Sequence, residues 1–109
     1  MFIAYVGRDE EVLTSIAAQA EQRGIVRAAL TLVGAVQECT VSVMPKGDPL
    51  DDIVTDYDQP FELSGTGEFV DGKVHIHVAL GGEGLVVAGH LHRAMVRDWF
   101  VRAYVQPVD

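Results

Sequence analysis

Beyond Gly24 this chain never returns to a helical repeat, which restricts it to a sheet served by one helix. Val12, Leu13, Ile16, Ala17 and Ala20 recur at helical spacing and form one apolar stripe. Asp9 is placed to cap that helix, with Glu10 and Glu11 against the positive end of its dipole. Arg23-Gly24 closes it with a basic last turn and a glycine that can turn left-handed. Phe2 to Val6 reads as an opening strand. After the helix come β-patterned stretches: Ile25 to Val36, broken at Gly34; Cys39 to Met44; Phe61 to Val70, interrupted at Gly65 and Gly67; Val74 to Leu80; Leu85 to His92; and Arg97 to Gln106. Turn chemistry separates them at Pro45-Lys46-Gly47-Asp48-Pro49 and Asp71-Gly72. Asp51 to Asp58 lacks the Asp-x-Asp-x-Asp-Gly spacing of a calcium loop and reads as a solvated edge or loop. One helix and about seven short strands predict an α+β fold, a mostly antiparallel sheet with the helix on one face.

With 109 residues the chain has material for one core, so residues 1–109 are expected to form a single domain. Its 49% hydrophobic and 22% charged residues set aside an intrinsically disordered chain. The net charge of -8 argues against nucleic acid as a partner, because phosphate contacts need clustered Lys and Arg. The eight basic residues are scattered, with only Arg93, Arg97 and Arg102 near one another. Cys39 is the only cysteine, which excludes an internal disulfide and suits a reducing cytoplasm. It lies in an apolar run without a basic neighbour, as a small strand residue rather than an activated nucleophile. The N-terminus lacks the basic head and long apolar stretch of a signal peptide, and no run approaches the ~20 apolar residues that span a bilayer. A cytoplasmic protein with no membrane partner is expected.

All four histidines fall on two consecutive β-segments. His75 and His77 alternate along one strand and share a face. The next strand returns through Gly81-Gly82-Glu83-Gly84; a hairpin centred on Gly82 and Glu83 places His90 directly across from His75. His75, His77 and His90 then converge, and His92 joins that face unless a bulge intervenes. A lone His-x-His is an ordinary surface feature. Three converging imidazoles repel once protonated, so a surface cluster and a metal site both stand open on these residues alone. Three neutral imidazoles with an open position suit Zn²⁺ first, and another divalent transition metal less specifically. Neither Gly65-Thr66-Gly67 nor Gly81-Gly82-Glu83-Gly84 carries the Lys-Ser/Thr of a phosphate loop. Trp99 and Phe100, read as part of the last strand, are expected in the core or an interface.

The order of segments resembles the plant and prokaryote conserved domain. The resemblance rests on Gly24-Ile25-Val26 leading to Gly34-Ala35-Val36, on Phe61-Glu62-Leu63 before Gly65-Thr66-Gly67, and above all on His75-Ile76-His77 with Gly89-His90-Leu91. It covers nearly the whole chain. The resemblance implies a homotrimer in which the three histidines ligate a metal near a cleft between subunits. It also implies that Glu62 projects toward that cleft, as acid/base or as a partner of a ligand. An apolar strand set that one helix cannot cover on both faces points to self-association too. Plant relatives join the domain to AT-hook motifs; this chain has no Arg-Gly-Arg-Pro hook, so their DNA role is not carried over. Two departures from the family pattern are a Glu62-to-Gly67 segment one residue shorter, and Arg102 where the final strand often has glutamate. Arg102 is read as exposed. The expected function is a metal-dependent protein acting on a small molecule, with a non-catalytic binding or regulatory module as the alternative.

Overall fold

A computed structural model describes residues 1–109. The chain runs β1 (Phe2–Val6), α1 (Val12–Gln22), β2 (Arg27–Val36), β3 (Glu38–Val43), β4 (Ile53–Tyr57), β5 (Phe61–Val70), β6 (Lys73–Gly82), β7 (Leu85–Met95) and β8 (Val101–Pro107). All eight strands join one sheet in the order β1-β8-β2-β5-β6-β7-β3-β4. Every neighbouring pair is antiparallel. The expected α+β architecture is therefore present. Of the two readings of the acidic stretch, solvated edge or loop, the edge is present as an eighth strand: β4 pairs from Cys39↔Tyr57 to Val43↔Ile53. Charged side chains on an edge strand discourage pairing with another chain.

The helix starts later than its acidic lead-in suggests. Glu11, not Asp9, is the N-cap, and its carboxylate accepts from the amides of Leu13 and Thr14. It also accepts from the amide of Ala94 on β7 at 2.9 Å, so the cap fastens the helix to the sheet. Asp9 is drawn elsewhere, to the Arg97 guanidinium at 3.1 Å. At the other end Gly24 takes φ +69, as a helix-ending glycine does.

Strict alternation of exposure along β5 and β6 makes the sheet two-faced. Phe61, Leu63, Phe69, Ile76, Val78 and Leu80 point inward, with Leu30 and Leu32 of β2, and meet Val12, Ile16 and Ala20 of α1. The opposite face carries no helix. Gly34, Gly65 and Gly67 do not break strands; β2 and β5 run through them. Close approach explains Gly34 and Gly67, where a side chain would run into the carbonyls of Phe100 and His75, and likewise Gly89 on β7, where it would meet the carbonyl of Ser42. β8 begins at Val101 rather than Arg97, because the preceding amides of Arg97 and Asp98 both donate to Gln37 Oε1. Trp99 therefore sits in a connection at φ +78, 75% exposed, and not on the last strand. Cys39 is buried, and burial together with Asp56 pushes its thiol up to about 11, as suits an inert strand residue.

Gly89 and Gly81 offer a paired test of this close approach. Gly89→Ala should cost on the order of 1–3 kcal/mol, the usual range for overpacking. Gly81→Ala, with nothing within 4 Å of the added methyl, should stay within roughly 0.5 kcal/mol. Urea unfolding of the two variants against the parent checks this.

Candidate metal centre

The site is built where β6 and β7 pair. The hairpin closes on Glu83-Gly84, with Gly82↔Leu85 as the last pair and Gly84 at φ +70. Its centre is one residue later than Gly82-Glu83, so His90 lies directly across from His77 and not from His75. Centring one residue later shifts the register by two, which preserves the face. His75, His77 and His90 still converge on the uncovered side of the sheet, and each offers a ring nitrogen within 4.8 Å of the others. Ring centroids lie 5.0 Å apart for His75–His77, 4.9 Å for His75–His90 and 6.0 Å for His77–His90.

A bulge does intervene at His92. β3 pairs Val41 with Leu91 and Thr40 with Arg93, leaving His92 as the extra residue. His92 and Arg93 are consequently both exposed, before Ala94 returns to the core. The His92 ring stays beside His90, at 4.6 Å between centroids, and its Nε2 is bonded to Ser42 Oγ at 2.7 Å.

Glu62 is not brought to the triad of its own chain. It pairs with Gly81, four residues along β6 from His77, or about 13 Å at the ~3.3 Å rise of a strand. It lines a cavity of about 700 Å³ with Gln37, Gln59, Glu83, Asp98 and Trp99. Arg102 borders a neighbouring cavity shared with Glu62, is exposed, and lays its guanidinium 4.2 Å over the Phe100 ring.

Residues the sequence did not suggest stand closer. Glu68 is directly opposite His75 and Thr66 opposite His77 on β5, while Ser42 is opposite His90 on β3. A groove of about 380 Å³ runs past His77 and His90, lined by Ser42, Met44, Ala88 and Asp52. Only long-range pairing joins β3 to β7, so no local motif could have announced Ser42 or Asp52.

The donor set fits a transition metal. Bonds of about 2.0–2.1 Å at tetrahedral angles require nitrogens roughly 3.4 Å apart, so the imidazoles need close by little more than about 1 Å. That is within reach of small side-chain rotations. The arrangement supplies three neutral nitrogens and no sulfur or carboxylate of its own, the donor pattern of a site with an open position.

Burial, then the neighbouring His92, His75 and His77 charges, lower the His90 pKa, against an opposing pull from Asp52. A histidine harder to protonate when folded binds fewer protons than its unfolded counterpart, so it weakens the fold as pH falls through the ordinary histidine range near ~6.5. Metal-free protein should melt at lower temperature at pH 5.5 than at pH 8. His90→Asn should reduce that difference, measured by calorimetry in chelator.

Residues 1–107 match the family model of the Plants and Prokaryotes Conserved (PCC) domain. Among solved structures, a metal-containing protein from Archaeoglobus fulgidus shares 27% identity and superposes with a TM-score of 0.84, covering 97% of this chain and 77% of that one. A plant- and prokaryote-conserved protein from Pyrococcus horikoshii shares 24% identity at TM-score 0.82, covering 99% and 78%. A protein from Ralstonia eutropha, described as a candidate DNA-binding protein, shares 20% identity at TM-score 0.80, covering 97% and 76%. A Bacteroides thetaiotaomicron protein of TM-score 0.81 is described in the same way. Curated proteins provide no match. The Ralstonia and Bacteroides proteins correct the expectation that nucleic acid is no partner. Net charge averages over a whole surface, whereas phosphate contact depends on local patches, so a charge of -8 does not remove that class for this fold. No helix is long and apolar enough to cross a membrane. From the match over residues 1–107, this chain belongs to the Plants and Prokaryotes Conserved domain family.

Proposed function

We propose that the protein holds a divalent transition metal, zinc first, through His75, His77 and His90. The observation carrying this is the convergence of three ring nitrogens within 4.8 Å on an uncovered sheet face. The metal-containing Archaeoglobus fulgidus protein of the same fold supports it. Such a centre, with an open position, supplies Lewis acidity toward a small oxygen- or nitrogen-bearing ligand. The groove beside His77 and His90 admits that ligand, with Met44 and Ala88 as apolar wall and Asp52 as polar rim.

The working assembly in this reading is a homotrimer. Ile3, Tyr5, Val33 and Val86 lie on the face without a helix and are 51%, 54%, 47% and 79% exposed, apolar surface that association would bury. Glu62, too far along the sheet for its own triad, is assigned to the cleft between subunits, as acid/base or as a partner of a ligand. The alternative is a non-catalytic module that uses the same metal to hold a ligand for regulation.

Two measurements test these statements. Protein loaded with Zn²⁺ at pH 8 and desalted should retain one ion per chain, and His77→Ala should retain none; an unloaded parent protein overturns the metal reading. Light scattering at micromolar concentration should give the mass of three chains, and a monomer mass would overturn the assembly.

A further inference from the structure

Four imidazoles crowd this face, yet only three present converging nitrogens. The His90–His92 centroid separation, 4.6 Å, is shorter than any separation within the triad, which runs from 4.9 to 6.0 Å. His92 thus adjoins the site through His90, although its nitrogens lie outside the set that the other three bring within 4.8 Å of one another. Its Nε2 is engaged instead by Ser42 Oγ at 2.7 Å. Ser42 is the one polar residue among the buried ones, 3% exposed, directly across from His90. His92 is the sole partner of its hydroxyl. The bulge between Leu91 and Arg93 supplies the extra residue that lets the ring swing back toward β3.

We infer that Ser42 is a positioning residue that holds His92 off the metal, so that the triad keeps an open coordination position which the fourth histidine of this chain would otherwise fill. The inference rests on the metal-binding reading above. Moving His92 onto the metal would strand a buried hydroxyl without a partner, and that penalty favours the open site by about tenfold or more. Without the hydroxyl, the same ring is free to complete a four-nitrogen shell, the closed arrangement of a structural site. The bond thus selects between a centre that receives a ligand and one that does not. The ligand class admitted is a small Lewis base, anionic or neutral, of a size to reach the metal along the groove past Ala88 and Asp52.

Cobalt(II) reports this directly, because its visible spectrum follows coordination number and donor set, and azide binds it only where it can displace a labile ligand. The test uses the full-length protein loaded with Co²⁺ as parent, Ser42→Ala, His92→Ala and the double variant. The parent should bind azide with a spectral change. Ser42→Ala should bind azide at least about tenfold more weakly, with a spectrum already that of a closed shell, and the double variant should regain parental azide binding. His92→Ala alone, at an exposed position and independent of whether Ser42→Ala folds, should keep both cobalt and azide affinity within about twofold, as expected for a surface change. Loss of cobalt affinity by tenfold or more in His92→Ala would show His92 already ligating and overturn the inference, as would parental azide binding by Ser42→Ala. Those results leave the triad intact; a parent protein that takes up no cobalt removes the metal reading itself and this inference with it.

Discussion

A sheet of eight strands with one helix can cover only one of its faces, and the rest of the structure follows from that asymmetry. The molecule measures 38 × 34 × 16 Å, thin enough for the sheet and a single helical layer. Side chains of one parity must therefore be apolar and those of the other must tolerate water or a partner. On β6 this sorts Ile76, Val78 and Leu80 to the core, and His75 and His77 to the open face. The imidazoles are exposed by the same alternation that buries the hydrophobic core.

Alternation alone does not assemble a site; lateral pairing does. One row crosses the open face from Ile3 through Tyr104, Thr31, Thr66, His77, His90 and Ser42 to Val54, each residue the register partner of the next. His77 and His90 lie in the polar stretch of this row, with His75 two residues along β6 from His77, and the row ends on apolar side chains at both edges. Close approach of the strands holds the row in place: Gly67 makes room for the carbonyl of His75, and Gly89 for that of Ser42. The charges at the far side serve a different purpose. Arg97 joins Glu38 at 2.8 Å and Asp9 at 3.1 Å, tying the approach to the helix onto β3 rather than tuning the histidines.

The triad was legible in the sequence because its recognition needed only parity. Misplacing the hairpin centre by one residue shifts the register by two and leaves His75, His77 and His90 on one face, although it exchanges which histidine opposes which. The Asp71-Gly72 turn was legible for a similar reason: both residues take positive φ, 49° and 84°, as that pair favours. The helix cap was not. Asp9 and Glu11 are chemically similar, and the choice between them rests on Arg97 and Ala94, more than eighty residues away. β4 was legible only as an edge or a loop, because Asp51, Asp52 and Asp58 flank it and Asp56 lies within it. Ser42 could be linked to His92 only through the β3–β7 ladder and its bulge, neither of which leaves a local trace.

In the proposed centre, sheet register brings three histidines together and leaves one coordination position open. X-ray absorption at the zinc edge of the loaded, full-length protein measures this most directly. The expected result is an outer-shell pattern of three imidazoles, nitrogen distances of about 2.0–2.1 Å, and one further light atom that is not imidazole. A shell of oxygens with no more than one imidazole, or one containing sulfur, would contradict it.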